Sequence, residues 1–269
     1  RKTHRGDGRR SHHGQGRRVS HGSGRLAAQE ARRLARGAIF DDGAITASDV
    51  PEVNKAKFKL MNMEGVLSFE YNTAKFSDVG GLEGLKDWLK HRQKVFIEGK
   101  QNNQLDPPKG ILLTGVQGAG KSLAAKAVAG MWNIPLLSMD MGAVYNKFFG
   151  ETERNMRESL QLAELMAPCV LWIDEIEKGL GQGGNDQGVS KRVLGTLLTW
   201  MAENQHPVFI VATANNIHSL PPELIRKGRM DEIFFVDLQS KAVRSLIFEI
   251  HLKKRNMPVE EFDTAALAA

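Results

Sequence analysis

At 269 residues, 41% hydrophobic and 25% charged, the chain is long enough for one large domain with a full core plus short flanking segments. No apolar run approaches the roughly 18 residues of a membrane span, the basic N-terminus lacks the apolar stretch of a secretory signal, and a single cysteine, Cys169, excludes an intrachain disulfide. The formal net charge of +6 resides in residues 1–24, which hold seven Lys/Arg and one acid; the other 245 residues hold thirty of each sign, so the charge balance gives no reason to expect nucleic acid on the folded body.

In chain order, residues 1–24 are Gly-, Arg- and His-rich with Val19 as their one aliphatic residue, which predicts a disordered basic tail. Residues 25–36, RLAAQEARRLAR, suit a short helix. A second helix is expected from SDVPEVNKAKFKLM, with Asp49 near its cap and Pro51 in its first turn. VLSFEY reads as a strand. Residues 25–75 are read together as a mainly helical lead-in, residues 76–239 as the main domain, and residues 240–269 as the start of a further helical segment.

Within the main domain, KGILLTG, PLLSMD, CVLWIDE, PVFIVATA and EIFFVDL are short apolar runs separated by helical patterns, notably KSLAAKAVAGMW, ETERNMRESLQLAELM and SKRVLGTLLTWM. Five such strands alternating with helices predict an α/β fold, a parallel sheet covered on both faces. Ligands of such sheets bind at the carboxyl ends of the strands. CVLWI places Cys169 in the core as a small apolar residue.

One glycine-rich loop sits at such an end. GVQGAGKS (Gly115, Val116, Gln117, Gly118, Ala119, Gly120, Lys121 and Ser122) fits the pattern G-x-x-x-x-G-K followed by Ser or Thr, and Leu123 continues into a predicted helix. Gly118 and Gly120 allow the backbone N–H groups to face one concavity, and the helix N-terminus adds positive potential. The pattern predicts a triphosphate cradle, with Lys121 reaching the β- and γ-phosphates and the Ser122 hydroxyl ligating Mg²⁺.

CVLWIDE then ends in Asp174 and Glu175. Asp174 is expected to hold Mg²⁺, mainly through water, and Glu175 to deprotonate the attacking water, with Glu177 on the surface. Asn215, at the end of PVFIVATA, is placed either to position that water and sense the γ-phosphate or to bond its own turn; Asn216 lies one step further out. RKGR brings Arg226 and Arg229 together with nothing nearby that is an obvious acidic partner for both.

FSDVGGLEGLKDWL, GVQGAGKS, NKFFGETERNMR, CVLWIDEIEK, ATANN and LPPELIRKGRMDEIFF occur in one order. In that order they resemble the AAA family of ATPases over residues 76–269. GVQGAGKS with Gln117, CVLWIDEIEK and RVLGTLLTWM look most similar to a branch first noted in algal plastids and cyanobacteria, with bacterial relatives.

The resemblance implies a P-loop αβα sandwich with five parallel strands in the order 5-1-4-3-2. It implies ATP and Mg²⁺ as ligands and a ring, commonly of six copies. It also implies that Arg226 and Arg229 serve the neighbouring copy's γ-phosphate, that Asp78, Val79 and Gly80 lie against adenine, and that Phe148 and Phe149 in KFFGE form a pore loop gripping a protein client. The same two Phe would otherwise be core residues. KGLGQGGNDQG (178–188) matches a second pore loop. A cytoplasmic location is implied, or plastid stroma for an algal source, without membrane insertion. Ser122 stands in place of the commoner Thr, Gln117 in place of a frequent Pro and Met230 in place of a frequent Phe. The chain stops early in the family's helical lid, so ring assembly by this length of chain is not implied. The function expected is ATP hydrolysis coupled to remodelling a protein; the alternatives are a nucleotide-gated binding module and nucleic-acid remodelling assisted by the basic tail.

Overall fold

The computed structural model describes residues 29, 32–33, 36–37, 49–61, 67–71, 73–99, 105–142, 152–180, 187–226 and 228–269. The basic tail, most of RLAAQEARRLAR, residues 181–186, and Phe148 and Phe149 with the whole of KFFGE lie outside the described residues. The chain divides into two units, residues 1–62 and 63–269.

In the first unit, helix α1 spans Val50–Leu60, with Asp49 at the N-cap position and Pro51 in the opening turn. Proline is tolerated there because the first helical N–H groups have no intrahelical acceptor.

The second unit is built on a six-stranded sheet. Its elements are β1 (Leu67–Glu70), α2 (Glu83–Glu98), β2 (Gly110–Thr114), α3 (Lys121–Trp132), β3 (Leu136–Asp140), α4 (Thr152–Met166), β4 (Cys169–Asp174), α5 (Gln187–Glu203), β5 (Val208–Ala214), β6 (Glu232–Phe235), α6 (Lys241–Lys254) and α7 (Thr264–Leu267).

The strand order is β1-β3-β4-β5-β2-β6. Strands β2 to β6 are parallel and follow the expected order, read from the opposite edge. The sheet has six strands rather than five because β1 adds antiparallel to β3, pairing Leu67 with Met139 and Glu70 with Leu136. The addition covers an edge of β3 that would otherwise present unpaired N–H and C=O groups. Glu70 then reaches α3, its Oε2 pairing with Lys126 Nζ at 2.9 Å.

Strands β2 and β5 are buried along their whole length. Alternation sends Ile111, Leu113, Val170, Trp172, Phe209 and Val211 to one face, against Leu85, Leu89 and Phe96 of α2 and Trp132 of α3. Phe96, Trp132 and Phe209 form a ring cluster with centroids 4.6–5.8 Å apart. Trp132 Nε1 donates to Leu89 O at 3.3 Å, so the large ring is packed and its polar edge satisfied. Leu89 is fully buried. Leu89→Ala is expected to cost about 2–5 kcal/mol through lost transfer and a residual cavity, read as a lower urea midpoint with an unchanged m-value.

Helix α4 packs on β4 and on α5. Trp200 Nε1 donates to Glu164 Oε1 at 2.6 Å, and Arg192 Nε meets Glu153 Oε1 at 2.6 Å, both between α4 and α5. After β6, Ser240 caps α6, its hydroxyl accepting from Val243 N. Arg244 Nε donates to Ala268 O at 2.9 Å and Ser245 Oγ to Thr264 Oγ1 at 2.9 Å, which ties α6 to α7. Among the described residues no helix is long and apolar enough to cross a membrane.

Candidate functional site

The turn between β2 and α3 is shaped by three glycines with positive φ: Gly115 at 149°, Gly118 at 82° and Gly120 at 97°. A Cβ on Gly115 would collide with the carbonyl oxygen of Val236, so the loop passes close under the end of β6 only because that residue is glycine. Lys121 opens α3 and is 7% exposed. Its Nζ donates to Gly115 O at 2.8 Å and Val116 O at 2.7 Å, so the ammonium lies inside the loop's curve. The first N–H groups of α3 lack intrahelical acceptors and add positive potential beside it.

Both acids face this loop from the end of β4, beside its neighbour β5. Asp174 closes β4. Thr213, in β5, donates its hydroxyl proton to Asp174 Oδ1 at 2.5 Å and accepts from Glu175 N at 2.9 Å. Glu175 has φ 46°, a left-handed conformation that costs a residue with a Cβ about 1–2 kcal/mol. The turn swings its carboxylate toward Asn215, whose Nδ2 donates to Oε1 at 3.1 Å, and toward Lys178, whose ammonium pairs with Oε2.

The Lys178 hydrogen bond is the largest influence on the Glu175 carboxyl and holds it below the usual carboxylate range. Partial burial pushes the other way, while the Asn215 amide and the charges of Lys178 and Lys121 add to the lowering. Lys178 is correspondingly pushed up, first by its hydrogen bond to Glu175 and then by that carboxylate's charge.

Glu177 corrects the expectation of a surface residue. It is half-buried, and its Oε1 accepts from Asn215 N at 2.8 Å, holding the end of β5. Asn216 caps the following turn instead, its Oδ1 accepting from His218 N at 2.9 Å.

A cavity of about 350 Å³ joins these groups. Its walls are Gln117, Gly118, Gly120, Lys121, Ser122 and Leu123 from the loop and α3, Asp174 and Glu175 from the end of β4, and Asn215 from the end of β5. Gly115, Val116 and Ala119 belong to the same loop without lining the cavity. Ser122 and Asp174, both lining the cavity, are hard oxygen donors that suit Mg²⁺, an ion that takes most of its remaining ligands from water and phosphate. Among the described residues no group of three or more His, Cys, Asp or Glu is placed to hold a metal by itself.

Other candidate residues lie off the cavity. Asp78 ends a 3₁₀ turn, Phe76–Asp78, that packs on α3 and α6. Val79 is buried, and Gly80 lies against Ile247 and Val243 of α6. Asp78 Oδ2 meets Lys254 Nζ at 3.1 Å. Burial is the largest influence on Asp78 and raises its pKa, but the Lys254 hydrogen bond and charge, with the Lys75 amide, outweigh it and hold the carboxyl below its ordinary value. Arg226 is exposed, and among the described residues its guanidinium has no hydrogen-bond or ion-pair partner. Arg229 is half-buried and donates from NH1 to Glu223 O at 2.5 Å.

Residues 111–238, which contain the loop, both acids, Asn215 and both arginines, match the model of the ATPase family associated with various cellular activities, AAA. The chain carries an AAA ATPase domain. Ahead of the AAA match, residues 26–64 match the second domain of SpoVK-like AAA ATPases. The chain is 46% identical over 241 residues to an uncharacterised AAA-domain protein, ycf46, of Guillardia theta, covering 88% of this chain and 48% of that protein. It is 50% identical over 200 residues to the protein of the same name from Gracilaria tenuistipitata var. liui, covering 74% and 41%. It is 34% identical over 195 residues to a cell division cycle protein 48 homolog of Archaeoglobus fulgidus, covering 68% and 26%. The chain thus spans about half the length, or less, of the curated relatives it matches.

Three residues of the AAA site escape a motif-based reading. Thr213 is a polar break in the apolar row Phe209, Val211, Thr213, and that break is the signal available in the sequence. Lys178 ends CVLWIDEIEK and opens KGLGQGGNDQG, the stretch read as a second pore loop, and neither motif pairs it with Glu175. Gln239 carries no local signal at all; its Nε2 donates to Ala119 O at 2.8 Å and ties the phosphate loop to the segment leading into α6.

Proposed function

We propose that the domain binds ATP with Mg²⁺ and hydrolyses it, and that in an oligomer, on the family pattern a ring of six, this turnover remodels or threads a protein client. The observation that carries the reading is the meeting of Lys121, Ser122, Asp174, Glu175 and Asn215 on one cavity from three separate strand ends.

In this reading, the amides of residues 116–122 and Lys121 hold the phosphates. Ser122 and Asp174 hold Mg²⁺, which when bound neutralises charge developing on the phosphate oxygens. Glu175, as the carboxylate, takes the proton of the attacking water; the Lys178 hydrogen bond, which holds its pKa below the usual range, has to loosen as that proton arrives. Asn215 fixes the Glu175 carboxylate and so the water it addresses. Asp78, Val79 and Gly80 flank adenine where the 3₁₀ turn meets α6. Arg226 and Arg229 act on the phosphate bound by a neighbouring copy, and Phe148 and Phe149 contact the client.

The Lys178–Glu175 ion pair favours one second reading, a nucleotide-gated binding module with slow turnover, because it neutralises the base until the lysine moves. Phosphate release by the full-length protein, titrated with ATP with and without Mg²⁺, tests the proposal. Mg²⁺-dependent turnover that rises with protein concentration is expected from an assembling ATPase. Tight ATP binding with no sustained turnover selects the gated module, and no binding at all overturns both.

A further inference from the structure

We propose that Thr213 is the positioning residue of the two acids. It sets the plane of the Asp174 carboxylate toward Mg²⁺ and the entry angle of the turn that carries Glu175. The inference rests on the nucleotide-binding reading above and adds to it a residue outside the phosphate loop and outside the acidic pair.

Thr213 is 1% exposed and shares a face with Phe209 and Val211, both fully buried. A hydroxyl in that row has to find partners within the protein. It carries one proton and two lone pairs. The proton goes to Asp174 Oδ1 at 2.5 Å, and a lone pair takes the Glu175 amide at 2.9 Å. The two bonds are compatible: a hydroxyl that donates its proton to the carboxylate keeps its lone pairs to accept from the amide. The carboxylate's other oxygen, Oδ2, is left for water and metal. The accepted amide belongs to the left-handed residue, so one side chain orients the metal-holding acid and anchors the turn that aims the base. Groups that orient a ligand carboxylate tune metal affinity about as strongly as 10–100-fold.

Thr213→Val has nearly the same volume and can make neither bond, whereas Thr213→Ser keeps the hydroxyl. In the full-length protein, Thr213→Val is expected to raise the Mg²⁺ concentration for half-maximal hydrolysis by about tenfold or more and to weaken Mg·ADP binding by a similar factor in calorimetry. ADP binding in EDTA should stay at the parental value, because the loop and Lys121 are untouched. Thr213→Ser should return both Mg²⁺ readouts close to the parent. Should valine prevent folding, Thr213→Cys carries the same measurements with a weak donor of similar size. An unmoved Mg²⁺ half-point in a variant with lowered melting temperature, or serine as impaired as valine, assigns Thr213 a packing role and overturns the inference while leaving the nucleotide site standing. A parent that binds no nucleotide overturns both.

Discussion

Replacing Glu175 by glutamine is expected to lower steady-state ATP hydrolysis by about 10²–10⁴-fold, the usual contribution of a general base, while leaving ATP binding in place. The amide keeps the length and an acceptor oxygen for Asn215 Nδ2, so the turn at φ 46° and its anchor on Thr213 need not move. It cannot take a proton, and it no longer attracts the Lys178 ammonium. The groups proposed to hold phosphate and metal, Lys121, Ser122 and Asp174, are other residues on the cavity wall. Equilibrium binding of a fluorescent ATP analogue and single-turnover hydrolysis separate the two effects. A loss of rate below about tenfold with binding intact removes Glu175 from the role of base. A parallel loss of binding instead makes its charge part of the nucleotide pocket. The binding-competent, slow variant is also the form in which a protein client would stay associated long enough to be isolated with ATP.

How much of this was legible beforehand divides along one physical line. Features that repeat locally could be read. The runs KGILLTG and PVFIVATA contain the fully buried strands Gly110–Thr114 and Val208–Ala214; both sheet faces are covered, so Thr114 and Thr213 are their only polar side chains. The loop glycines sit where positive φ is needed, and Lys121 begins the helix within that same motif. Features made by residues far apart in sequence could not be read. The pairing of β1 with β3 joins segments about seventy residues apart, and nothing in VLSFEY names its partner. Thr213 meets Asp174 across 39 positions, and Gln239 meets Ala119 across 120. Glu177 reads in the sequence as a surface charge; the Asn215 amide it accepts from is 38 positions away. The motif fixes which residues converge, and the sheet register decides which of their hydrogen bonds are shared.

The second large effect is expected at RKGR. The Arg226→Ala, Arg229→Ala double variant should lose about 10³–10⁵ in turnover, as when an arginine is withheld from other phosphoryl-transfer sites. Neither arginine lines the cavity of its own chain. A guanidinium stays charged at any working pH and offers a planar fork to phosphate oxygens, so an exposed one with no partner among the described residues is suited to an anion supplied from outside. That describes Arg226 better than Arg229, whose NH1 is already committed to Glu223 O at 2.5 Å. The single Arg226→Ala variant is therefore expected to account for more of the loss than Arg229→Ala.

Mixing tests whether the supply is in trans. A chain carrying Lys121→Ala lacks its own phosphate lysine but keeps both arginines; the double arginine variant is the reverse. Each is expected to be inactive alone. In a head-to-tail ring assembled from equal amounts, each interface draws its two chains independently, so about one interface in four joins an intact lysine to intact arginines. Up to roughly that fraction of parental turnover should return if neighbouring sites act independently. A mixture that stays at the level of its components, under conditions where mixed assemblies demonstrably form, would place the arginines' action within their own chain.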